Sequence, residues 1–132
     1  MKLESVWLIA ADVKAMVAFY EMVTGSVAEW LGPQFAEIVT PGAALGIGST
    51  AIVSAFREGS AQPAANRTAI VVFMVDDVDA AFARIRDKVD VIHEPKTMPW
   101  GNRTAQFRDP EGTAVALFTP ATDAARKRYA GR

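Results

Sequence analysis

The strongest constraint on this fold is a plan that the chain runs through twice. The opening "SVWLIAADVKAMVAFYEMVTG" reads as a strand over Ser5–Ala11, and Asp12 follows as a helix cap. Val13, Met16, Val17, Tyr20 and Val23 then form one helical stripe, which Gly25 ends. "IVVFMVDDVDAAFARIRDKV" repeats this: strand Ile70–Asp76, cap Asp77, stripe Val78, Ala81, Phe82 and Ile85. Asp77 stands 65 residues after Asp12. A hairpin-like stretch follows each helix. "FAEIVTPGAALGIGS" turns at Thr40-Pro41-Gly42, and "TAQFRDPEGTAVALF" turns at Asp109-Pro110-Glu111-Gly112. Gly112 lies 70 residues after Gly42, so a short insertion separates helix from hairpin in the second copy.

Each copy is therefore a βαβββ unit. A period of about 65 residues, present only twice, is not a solenoid. The expected fold is α+β, with two βαβββ modules pairing curved sheets around a cavity and helices outside. One domain is expected over residues 1–132, with module 1 at about 1–56 and module 2 at about 68–120. "REGSAQPAANR", residues 57–67, has linker composition, and 121–132 reads as a tail.

Composition narrows the function classes. Half the residues are hydrophobic and 22% are charged, as in globular proteins. The net charge of −1 gives no electrostatic case for nucleic acid. Arg126-Lys127-Arg128, the one basic cluster, is expected to be solvated. There is no cysteine, hence no disulfide or thiolate chemistry. Apolar runs such as Val6–Ala11 and Ala69–Val75 are too short to span a bilayer. "MKLESVWLIAADVK" lacks a small-residue cleavage site, so no signal peptide and a cytoplasmic location are expected.

"DVKAMVAFYEMVTG", "VDDVDAAFARI" and above all "VIHEPKTMPWGNRTAQFRDPEGTAVALFTP" resemble the vicinal oxygen chelate superfamily of glyoxalases, bleomycin-resistance proteins and extradiol dioxygenases. The resemblance covers nearly the whole chain and implies metal ligands at four positions in metal-using members. Those positions fall on Ser5, Ile70, Gly46 and Ala116. Three of these side chains cannot coordinate a cation, and a neutral hydroxyl is a poor ligand. No metal, other cofactor or catalytic residue is assigned. The resemblance also implies a homodimer.

Side chains alternate along strands, so the ligand positions that the resemblance implies identify the cavity-facing set as Ser5, Trp7 and Ile9; Ile70, Val72 and Met74; Gly46 and Gly48; and Ala114, Ala116 and Phe118. Val6, Leu8, Val71 and Phe73 are then expected in the core. Gly46, Gly48 and Ala116 leave room, while Trp7, Met74 and Phe118 offer stacking surface. Trp100 is expected as a lid, an interface contact or a loop anchor. Rim candidates are Glu37, Asn102, Arg103, Gln106 and Arg108. Arg103 either holds a ligand carboxylate or pairs with Asp109 or Glu111. "GIGSTA" fails as a phosphate-binding glycine motif, because a strand rather than a helix is expected around it.

The reading that follows is a metal-free protein binding a hydrophobic or aromatic small molecule, with no nucleic-acid or membrane partner. The expected ligand contacts are Ser5, Trp7, Gly46, Gly48, Ile70, Met74, Trp100, Arg103, Ala116 and Phe118. Whether a reaction occurs stays open. One alternative is a cofactor-free lyase or isomerase using Glu37 or His93 with an arginine. Another is a non-catalytic interaction domain with a filled cavity.

Overall fold

A computed structural model describes residues 1–132. It divides into two units, Met1–Arg67 with Pro110–Gly112, and Thr68–Asp109 with Thr113–Arg132. Together they hold four helices and two open four-stranded mixed sheets, an α+β fold.

The first unit comprises β1 (Ser5–Ile9), α1 (Val13–Thr24), β2 (Glu29–Trp30), β3 (Phe35–Ile38), β4 (Ala44–Gly48) and α2 (Thr50–Phe56). Its strand order is β1-β4-β3-β2, with β1 parallel to β4. α1 begins where expected. Asp12 Oδ1 accepts a 3.0 Å bond from the Ala15 N–H, satisfying one orphan donor of the first turn. It ends at Gly25, whose φ of +72° suits glycine and whose N–H donates to the Glu21 carbonyl at 2.8 Å. Val13, Met16, Val17, Tyr20 and Val23 are all buried, against β3 and β4. Burying each large member of that stripe is worth ~1.5–3 kcal/mol. The turn Pro110–Gly112 belongs to this unit. The Glu111 carboxylate accepts from the Ala11 N–H, at 3.0 Å and 2.9 Å, and from the Asp12 N–H at 3.2 Å.

The second unit comprises β5 (Ile70–Met74), α3 (Val78–Ile85), a 3₁₀ turn (Arg86–Lys88), β6 (Asp90–Thr97), β7 (Asn102–Arg108), β8 (Ala114–Pro120) and α4 (Asp123–Tyr129). Its strand order is β5-β8-β7-β6. Asp77 caps α3 through the Ala80 N–H at 3.1 Å. Val78, Phe82 and Ile85 pack with Phe107, Val115 and Leu117 into a core between helix and sheet.

The repeat survives at the level of register. Ser5 faces Ala44 and Trp7 faces Gly46, while Ile70 faces Ala114 and Val72 faces Ala116. First strands 65 residues apart and last strands 70 apart thus pair in the same way.

Several expectations are corrected. A helix, α2, does follow the glycine strand, capped by Ser49 Oγ on the Ala51 N–H at 3.2 Å. It is seven residues long and leads into the 57–67 loop rather than another parallel strand. Residues 121–132 carry α4, with Ala125 buried. Val6 is 48% exposed, because β1 is an edge strand and the helix side of the sheet is covered over its inner strands.

Candidate ligand-binding face

Strand pairing places the side chains of the second unit's sheet in rows. On the face opposite α3, one row is Val72, Ala116, Gln106 and His93. The next is Met74, Phe118, Thr104 and Lys96. The face is therefore divided. β5 and β8 supply an apolar half, and β7 and β6 a polar half. Ile70, Val72 and Met74 are each about half exposed. Such a run of large apolar side chains on one edge strand is costly to leave in water.

Ala116 and Phe118 belong to this face but are buried. Phe118 lies under α4, its ring 5.1 Å from that of Tyr129. Asn102 is buried there too, its Nδ2 donating to Tyr129 Oη at 3.3 Å while its Oδ1 has no partner. Sequence reasoning missed this end of the face because it treated 121–132 as a tail.

In the first unit, Ser5, Trp7, Gly46 and Gly48 do share a sheet face. The glycines leave no open space there. A Cβ on Gly46 would lie 2.6 Å from Trp7 Cδ1 and 2.8 Å from Phe35 Cζ. On Gly48 it would meet Phe35 Cδ2 at 3.0 Å. The Trp7 and Phe35 rings, 4.8 Å apart and tilted, occupy the volume that the missing side chains vacate. Phe56 of α2 adds a third ring 6.1 Å from Trp7. Trp7 Nε1 donates to Ser5 Oγ at 3.1 Å. Glu37 sits across from Gly46 on one side and Glu29 on the other.

Arg103 faces away from the candidate surface. It makes a two-pronged ion pair with Asp79 of α3, not with Asp109 or Glu111. The hydrogen bond from Arg103 holds the Asp79 carboxyl below its ordinary range, and the same bond raises the guanidinium. This pair borders a cleft of about 290 Å³ at the start of α3, lined also by Asp76, Asp77 and Arg126. Two more of the cleft's charges are committed locally: Asp77 caps α3 and Arg126 pairs with Asp123 at 3.0 Å. Trp100, in the loop between β6 and β7, is 64% exposed and is not an anchor in the core. His93 lies on β6 rather than between helix and loop.

The four positions at which the resemblance implies metal ligands do not fit a divalent cation. Ile70, Gly46 and Ala116 have no donor atom, and the Ser5 hydroxyl already accepts from Trp7. Nor is any group of three His, Asp or Glu side chains elsewhere in the structure arranged to hold a metal ion.

The fold has many solved counterparts. A glyoxalase/bleomycin resistance protein/dioxygenase family enzyme from Burkholderia phytofirmans PsJN superposes with a TM-score of 0.79 at 21% identity, covering 91% of this chain and 99% of that one. Lactoylglutathione lyase from Agrobacterium tumefaciens gives 0.69 at 24%, covering 88% and 91%. TioX from Micromonospora sp. ML1 gives 0.69 at 23%, covering 91% and 99%. No functionally curated protein matches the chain in sequence. The family model for the Glyoxalase/Bleomycin resistance protein/Dioxygenase superfamily matches residues 2–117, and the chain belongs to that superfamily.

Proposed function

We propose that this protein binds a hydrophobic, planar small molecule without a metal, on the sheet face that carries Ile70, Val72 and Met74. The observation that supports the reading is the exposure of these three residues, each about half open on one strand beside Ala116 and Phe118. Flat apolar ligands gain most from such a surface, and methionine adapts to their outline. Three of the four superfamily ligand positions carry no donor atom and the Ser5 hydroxyl already accepts from Trp7, which favours binding over metal-assisted chemistry.

The test is calorimetric titration with a naphthalene-bodied probe, 2-naphthol, against wild type and Val72→Lys. Val72 is 55% exposed on an edge strand, where lysine is well tolerated. Wild type is expected to bind and Val72→Lys to lose at least roughly tenfold in affinity with unchanged melting, from lost apolar contact. Equal binding by both would move the ligand off this face.

The reading includes a homodimer. β1 and β5 each end a sheet, and Val6, Trp7, Ile70 and Met74 lie exposed along them. Small domains gain stability by covering such edges. Light scattering at micromolar concentration is expected to give twice the 14.2 kDa chain mass, and a monomer mass would overturn this part.

A further inference from the structure

We infer that His93 and Gln106 form the hydrogen-bonding edge of this face, so that its ligand carries an O–H or N–H donor on its planar apolar body. The inference rests on the face proposed above and names the chemistry of its other half.

His93 reaches this face through an irregularity. Val91 pairs with Phe107 on the helix side of the sheet, and strict alternation would keep His93 there too. A register shift between Val91 and His93 brings His93 opposite Gln106 instead, and a second shift follows before Lys96. Directly paired residues project from the same face, with Cβ atoms about 4.5–5.5 Å apart. Bulges are a known means of re-aiming a side chain. Glu94, between the two shifts, points the other way and pairs with Arg86 of the 3₁₀ turn.

The tautomer follows from one contact. His93 Nδ1 lies 2.8 Å from the Glu94 carbonyl oxygen. A carbonyl only accepts, so Nδ1 carries the proton and the neutral ring keeps its lone pair on Nε2. Nε2 is then an acceptor. Beside it the Gln106 carboxamide supplies both an acceptor and donors. The next residue in the row is Ala116, too small to block either, and Val72 closes the row on the apolar side. A ligand lying on Val72 and Met74 would present its edge to His93 and Gln106, and a hydroxyl there completes Nε2. Charged residues on the same face are Asp90 and Arg108 in the row above and Lys96 in the row below, with Glu94 and Arg86 on the opposite side.

The experiment compares 2-naphthol with 2-methoxynaphthalene, which share the apolar body and differ in the donor. Calorimetry at about pH 8 is expected to show naphthol binding at least roughly tenfold tighter, as a buried acceptor left without its partner is penalised. The preference is expected to vanish in His93→Phe. It should be retained in His93→Gln, whose carboxamide oxygen restores an acceptor. The comparison of the two probes on wild type needs no variant to fold. Equal binding of both probes to wild type would overturn the role of His93 while leaving the apolar face standing. Binding of neither probe would overturn the face, and the His93 inference with it.

Discussion

Arg103 grips Asp79 with two parallel hydrogen bonds, Nε to Oδ2 at 2.7 Å and Nη2 to Oδ1 at 2.9 Å. The pair ties β7 to the first turn of α3, where a negative charge also suits the helix dipole. Because the Arg103 hydrogen bond lowers the folded pKa of Asp79, the carboxylate's contribution to stability is fully present above the unfolded carboxyl's range. It is lost as pH falls through the lowered folded value. Asp79→Asn should therefore melt below wild type at neutral pH, and the gap should close on acidification below about pH 4. Thermal melts across that window check it. A gap that widens in acid would contradict the sign.

The Tyr129 hydroxyl is the only partner of the buried Asn102 side chain, whose Oδ1 already lacks one. Removing that hydroxyl in Tyr129→Phe strands the whole carboxamide, at a cost of about 1–3 kcal/mol. Asn102→Leu removes the unsatisfied group itself, and Tyr129, half-buried, can turn its hydroxyl to water. Deleting one oxygen is thus expected to destabilise more than replacing the amide. Urea unfolding of the two variants gives the order directly.

What the sequence made legible was local or periodic. Asp12 and Gly25 bracket a helix whose stripe needs no knowledge of its neighbours, and the offsets of 65 and 70 carried the strand register into both units. What it hid was set by distant packing. Asp79 lies 24 residues from Arg103, and only the α3 crossing brings them together. α2 is built from "TAIVSAF", whose threonine, isoleucine, valine and phenylalanine favour strands. His93 sits on an alternation that a bulge breaks, and a bulge leaves little trace in composition. Gly46 looked like space because a missing side chain does not say which ring fills its place.

That last point is itself testable. In Gly46→Ala the new Cβ would meet Trp7 at 2.6 Å and Phe35 at 2.8 Å, so a ring must move. Phe35 is buried while Trp7 is 44% exposed, which makes Trp7 the one to yield. The variant is expected to lose about 1–3 kcal/mol, with the tryptophan emission shifted to the red. Gly48→Ala meets its nearest atom at 3.0 Å and should cost less. Equal melting of both variants and wild type would mean that the ring pair is looser than this geometry.

The residues at the superfamily's ligand positions lead to a last expectation. Ser5, Ile70, Gly46 and Ala116 offer one hydroxyl among four side chains, and that oxygen already receives the Trp7 N–H. A structural or catalytic zinc needs three or four donors at about 2.0–2.3 Å. Elemental analysis of purified protein should therefore find no transition metal in stoichiometric amount, and ligand binding should survive chelator. Ala116→Glu supplies one carboxylate at a site only 3% exposed. One donor is too few to hold a metal, and the buried charge has no partner built for it. That variant is expected to lose stability without gaining metal, and added zinc should not restore its melting temperature. A zinc-dependent rise in melting for Ala116→Glu, absent in wild type, would show that neighbouring groups complete a site after all.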